Sequence, residues 1–181
     1  MLTARRFAAQ LCEGLDGLRG KATDPAWTSR MAGVLSKIGA DHDLVTYGHS
    51  AGAGAKHRAY LWDYTMYADR RDGALPVVAI EHENQHHFDA FRDDFWKTLM
   101  ANTPLRVAIG YCARADERAA WVERINQEAA TGVWDSSFLT PSEGLIALGF
   151  DDMLAGAGNF LCWVRADRSQ RWVPYVQADP F

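Results

Sequence analysis

Two apolar runs set the frame for the chain. "PVVAI" opens residues 76–84, and "LRVAIGYC" fills residues 105–112. A strand with one wet face alternates apolar and polar residues, whereas a strand covered on both faces reads as an unbroken apolar run. Between the two lies "HFDAFRDDFWKTLMAN", residues 87–102, with Phe88, Phe91, Phe95 and Leu99 at helical spacing on one stripe. Asn102-Thr103-Pro104 stops that helix. Strand, amphipathic helix, strand is a crossover unit, and such units join parallel strands in a sheet that helices cover. The expected class is therefore α/β, with a central mixed β-sheet flanked by helices.

The segments on either side extend this frame. Residues 2–18 carry Phe7, Leu11, Leu15 and Leu18 at helical spacing, and Asp24-Pro25 opens a second helix expected to end near Gly39. Residues 43–47 and the aromatic stretch 58–68 read as strands. With "RRDGAL" as a turn into 76–84, they propose a meander. Residues 113–132 form a charged amphipathic helix ending at Gly132. Strands are expected at 144–150, 159–166 and 171–177, the last two as a hairpin with Pro174 marking an edge. The reading is one domain over 1–181, with a core of about 1–130 and C-terminal strands (143–177) completing or extending the sheet. A length of 181 residues is enough for one real core.

Composition excludes several classes. The net charge is -4, so a nucleic-acid reader would have to concentrate its Lys and Arg locally. Cys12, Cys112 and Cys162 are far apart with no CxxC, which argues for free thiols in a reducing cytoplasm rather than a disulfide framework or structural zinc. The N-terminal twenty residues have charges spaced through them and no long apolar run, so neither a signal peptide nor a membrane span is expected. The expected location is cytoplasmic.

"GHSAG", residues 48–52, matches the G-x-S-x-G elbow of serine hydrolases, with Ser50 in the nucleophile's place. The context fails. The elbow needs a helix after its serine, and the glycine-rich stretch that follows runs into a strand. The triad also needs a histidine late in the chain, and the last one is His87. A Gly/Ala loop is the better reading, and the serine hydrolase remains only a remote alternative.

The acids are more informative. Glu81 and Glu83 fall two apart at the end of the buried strand 76–84, so strand alternation points them the same way and His82 the other. Neighbouring carboxylates there repel and are costly to desolvate, a cost that a hard divalent cation such as Mg²⁺ (or Mn²⁺) removes. Asp63 sits among Tyr60, Leu61, Trp62 and Tyr64. If 58–68 pairs with 76–84, Asp63 meets Glu81, and the three acids form a metal cup. Ion pairs with Arg58, Arg70 or Arg71 are the ordinary alternative. His82 and His86 stand at i and i+4, a zinc spacing on a helix, but His82 falls in an expected strand, which argues against zinc. Trp62, Trp96, Trp163 and Trp172 suit core packing more than base stacking, and the acids interleaved with Arg114, Arg118 and Arg124 suit a solvated face.

An order of helix, strand, strand with Asp63, strand with Glu81-x-Glu83, helix, strand, over about residues 2–112, resembles the core of the PD-(D/E)xK nuclease superfamily, the restriction-endonuclease-like fold. Glu83 stands where that family usually has lysine, making this a Glu-x-Glu variant. Other members are thought to move the lysine to the next helix, where this chain has Lys97. Lys97 lies nearly opposite the Phe88/Phe91/Phe95/Leu99 stripe. It either reaches around the helix edge or is an ordinary surface lysine. The resemblance implies metal-dependent hydrolysis of DNA, or RNA, with Asp63 and Glu81 on the metal. Glu83 would be a further ligand or the base, and Lys97 would stabilise the transition state. Glu13 and His82 are accessory candidates, and Glu13 reads first as a solvated helix residue. The expected partner is nucleic acid, DNA ahead of RNA, with no membrane and a possible homodimer. The competing class is a binding protein that kept the fold and lost the chemistry.

Overall fold

The computed structural model describes residues 2–16, 24–48, 62–68, 74–131, 142–150, 160–165 and 171–176. Among these, four helices and seven strands follow one another as α1 (Ala4–Asp16), α2 (Asp24–Ala40), β1 (Val45–Gly48), β2 (Tyr64–Tyr67), β3 (Val78–His82), α3 (Phe88–Leu99), β4 (Leu105–Cys112), α4 (Glu117–Ala130), β5 (Glu143–Phe150), β6 (Leu161–Arg165) and β7 (Val173–Pro174). The strands make one sheet in chain order, β1 through β7. β3, β4 and β5 run parallel, and every other neighbouring pair is antiparallel. The fold is α/β with a mixed sheet. β5, β6 and β7 continue the same sheet, and Pro174 lies on its edge strand, where a missing amide costs no ladder bond.

Chain order explains the layering. Two successive crossovers that step in one direction, each right-handed, place both crossover helices on the same face. α3 and α4 accordingly share a face, where Phe88, Phe91, Phe95, Trp121 and Ile125 meet Ala108, Ile146 and Trp163 of the sheet. α1 and α2 cover the other face, with Phe7, Leu11, Met31 and Leu35 against Ile80, Val107, Ile109 and Leu145. β4 is thereby buried along its whole length. Close approach is built in at Gly110, where a Cβ would lie 2.4 Å from Cδ2 of Phe91. The bare backbone lets α3 settle onto β4.

Some boundaries differ from expectation. α2 continues past Gly39 to Ala40. One glycine costs a helix only about 1 kcal/mol, and burial of Leu35 and Ile38 offsets it. β2 begins at Tyr64 rather than Arg58, and residues 58–61 lie outside the described ones. β3 ends at His82 rather than Asn84. Gly48, the first glycine of the elbow match, belongs to β1 and pairs with Tyr64, and a Cβ there would meet the Tyr64 ring at 2.3 Å. Ser50 lies outside the described residues. No described helix is long and apolar enough to cross a membrane.

Candidate metal centre

The meander brings Asp63 to Glu81. Tyr64 pairs with Ile80, so the residue before β2 stands level with Glu81. Strand pairing has ended at Asp63, and its side chain replaces it: Oδ2 accepts the His82 backbone N–H at 2.9 Å. This bond satisfies a peptide group at the end of β3 and orients the carboxylate.

Glu81 points to the α3 face and is only 1% exposed. α3 crosses above it with two polar residues one turn apart, Asp94 and Lys97. One carboxylate oxygen from each of Asp63, Glu81 and Asp94 lies within 4.8 Å of the other two. Lys97 Nζ donates a hydrogen bond to Asp94 Oδ1 at 2.9 Å and sits 3.1 Å from Glu81 Oε1. Its approach to Glu81 is an ion pair by distance without the geometry of a hydrogen bond. Both Glu81 oxygens are buried, and neither makes a well-aligned hydrogen bond among the described residues. The Trp62 indole N–H donates to the Lys97 carbonyl at 3.2 Å and ties the entry of β2 to this helix.

The electrostatics follow from this packing. Burial, and then the neighbouring Asp63 charge, push the Glu81 carboxyl up to about 8, against a smaller opposing pull from Lys97. Burial works to lower the Lys97 ammonium, but Asp94 and Glu81 outweigh it and hold it at about 12. The centre therefore contains a carboxylate that is costly to ionise, a cation beside it, and two acids at its rim. A buried acid without a donor is satisfied either by a proton or by a cation.

A divalent ion fits this donor set. Three carboxylates are hard oxygen ligands of the kind Mg²⁺ and Mn²⁺ take. Ligands on opposite sides of one Mg²⁺ stand about 4.2 Å apart, so a small side-chain movement or one bridging water accommodates the observed spread. The same ion would satisfy the Glu81 oxygens.

The site differs in composition from the expected cup. Asp63 and Glu81 meet, and Lys97 reaches the cluster. Glu83 does not join it. Strand alternation holds only while the strand lasts, and β3 stops at His82. The Glu83 amide still bonds Ile109 O, but its side chain turns back to accept the Gln85 N–H at 2.7 Å. Its place is taken by Asp94, one of several charged residues on α3. The available signal was Asp94–Lys97 at i,i+3, a pair on one side of α3 and just off the apolar stripe.

The accessory candidates lie elsewhere. The His82 ring is on the opposite face, where its Nε2 bonds Tyr111 Oη at 2.8 Å. Trp27 Nε1 donates to the same hydroxyl. Burial pushes this imidazole down to about 4 and keeps it neutral. Only the His82 backbone serves the cluster. Glu13 lines a groove between α1 and α2 with Gln10, Arg30, Lys37 and Asp41. His86 packs its ring on Tyr111, and His87 caps α3 by accepting the Ala90 N–H, so the three histidines do not converge. Arg118 is largely buried beneath the Phe150 ring rather than solvated.

Comparison with protein-family models, with curated proteins and with solved structures returned no significant match.

Proposed function

We propose that the chain is a divalent-metal-dependent phosphodiesterase acting on nucleic acid, of the restriction-endonuclease-like type. The carrying observation is Glu81: a buried carboxylate with no well-aligned hydrogen bond among the described residues, balanced by the Lys97 ammonium 3.1 Å away, level with Asp63 and beneath Asp94. Three features support the nuclease assignment. The helix–meander–helix–strand order agrees with that fold type, with antiparallel β1, β2 and β3 and a parallel β3–β4 pair joined through α3. The acids stand at the ends of β2 and β3 that such a site would use. The lysine missing from the strand is supplied by Lys97 on the next helix.

Mg²⁺, when bound, supplies charge against the phosphate and acidifies a water. The chain's own residues do the rest. Asp63, fixed by the His82 amide, and Glu81, fixed by burial, present preoriented oxygens to the ion. Asp94 closes the set from α3. Lys97, anchored through its carbonyl by Trp62, holds a positive charge beside the place where a phosphate would sit.

One observation favours the second reading, a nucleic-acid-binding protein without turnover. Lys97 already neutralises the acids, as a relic of a lost metal site would. The deciding experiment is a nuclease assay on DNA and RNA in Mg²⁺ and in Mn²⁺, comparing wild type with Asp63→Ala and Glu81→Ala. Metal-dependent cleavage lost in both variants is expected. Cleavage retained in both refutes the assignment, and binding without cleavage in wild type supports the second reading.

A further inference from the structure

We propose that Lys97 is the resident counter-cation of the carboxylate centre and that a divalent ion enters only by expelling its ammonium. The inference rests on the reading that these acids hold a metal, and it adds how the metal is admitted. Lys97 Nζ stands 2.9 Å from Asp94 Oδ1 and 3.1 Å from Glu81 Oε1, two of the acids that would ligate the ion. A hard divalent ion takes such oxygens at about 2.1 Å. An ammonium at hydrogen-bond distance from one oxygen of each acid competes with the ion for the same carboxylates and carries charge of the same sign. The two cations exclude each other.

The side chain has a way out, because Lys97 is 40% exposed. Its backbone does not need to move, since Trp62 holds the Lys97 carbonyl. The remaining charges near the centre are Asp63, Glu81 and Asp94. The other described ion pairs of α3 join Arg92 to Asp89 and Asp93 within that helix and Asp89 to Arg124 of α4, and none of them includes Asp63, Glu81 or Asp94. Lys97 is thus the cation that neutralises Glu81 among the described residues. At low metal the centre is closed by its own lysine. At higher metal the ammonium leaves, and a freed, flexible cation stands beside the ion for an anionic ligand. A tethered ammonium also raises the threshold against monovalent ions, which offer no charge advantage over it.

The chain has four lysines, Lys21, Lys37, Lys56 and Lys97, so acylation can be read residue by residue. The protein is labelled with an acetylating ester at about pH 8.5, in chelator and in Mn²⁺, and mapped by peptide mass. Labelling of Lys97 is expected to rise severalfold in Mn²⁺, with the other three as internal references. In parallel, Mn²⁺ is titrated calorimetrically, without oxygen, into wild type and Lys97→Met at the same pH. The variant is expected to bind on the order of tenfold more tightly, and binding seen only in the variant supports the proposal equally. Unchanged Lys97 labelling while wild type binds Mn²⁺, or equal or weaker binding by Lys97→Met, overturns the exchange and leaves the metal centre standing. No Mn²⁺ heat in either protein overturns the centre and the exchange together.

Discussion

Replacing Glu81 with glutamine should stabilise the metal-free protein, and the gain should grow with pH. In the fold the Glu81 carboxyl is held at about 8 against an ordinary 4.5, first by burial and then by Asp63. A raised folded-state value means that the native protein keeps a proton that the unfolded chain releases. The stability associated with that proton is complete below about pH 4.5 and is lost as pH rises through about 8. At 1.36 kcal/mol for each tenfold step, the loss approaches about 5 kcal/mol at pH 9 and is under about 1 kcal/mol at pH 5. Relaxation around an ionised Glu81 makes the larger figure a ceiling. Glutamine keeps the shape and does not titrate, so Glu81→Gln should match wild type closely at pH 5 and exceed it by several kcal/mol at pH 9. For a chain of this length each kcal/mol is worth about 2–4 °C in Tm. Urea titrations in chelator at pH 5, 7 and 9 give the comparison directly. A variant less stable than wild type at pH 9, or a difference that does not change with pH, would refute the reasoning. Such a gain from deleting a charge is the mark of a residue kept for something other than stability.

Other perturbations test the frame around the centre. Tyr111→Phe removes the hydroxyl that meets both His82 Nε2 and Trp27 Nε1; a cost of about 1–3 kcal/mol in urea denaturation is expected, and no cost would mean that the network does not hold the α2 layer. Phe91→Ala empties a fully buried position packed against Gly110, Phe95 and Trp121, with an expected loss of about 3–5 kcal/mol by the same measurement. The Cys12 and Cys162 sulfurs lie 3.9 Å apart; a thiol-oxidising diazenedicarboxamide should join them, with loss of two hydrogens from the peptide pair and Cys112 still titrating as a thiol, and a mass map showing three free thiols would contradict the packing of α1 on β6.

The frame was legible because its signals are local and periodic. Apolar runs at 76–80 and, interrupted only by Arg106, at 105–112 mark strands covered on both faces, and β3 and β4 are parallel neighbours beneath α3. The meeting of Asp63 and Glu81 was legible as well, since antiparallel pairing of the segments 58–68 and 76–84 end to end sets the two residues opposite each other, as the pairing of Tyr64 with Ile80 does. The third acid was not. Strand alternation nominated Glu83, but alternation carries no information about where a strand ends, and β3 ends one residue too soon. Asp94 depends on how α3 is rotated and seated on the sheet, which is set by contacts such as Phe91 on Gly110, far apart in sequence. Lys97 could be placed only within reach. Its ion pair with Glu81 follows from the burial of that acid, which the sequence hints at and the packing decides.

The most direct test of the centre is a crystal structure grown in Mn²⁺, read by anomalous scattering. One strong peak is expected among the carboxylates of Asp63, Glu81 and Asp94, about 2.2 Å from the nearest oxygens, with the Lys97 ammonium moved away. A well-ordered centre without a peak, and with Lys97 still lying between Glu81 and Asp94, would contradict it.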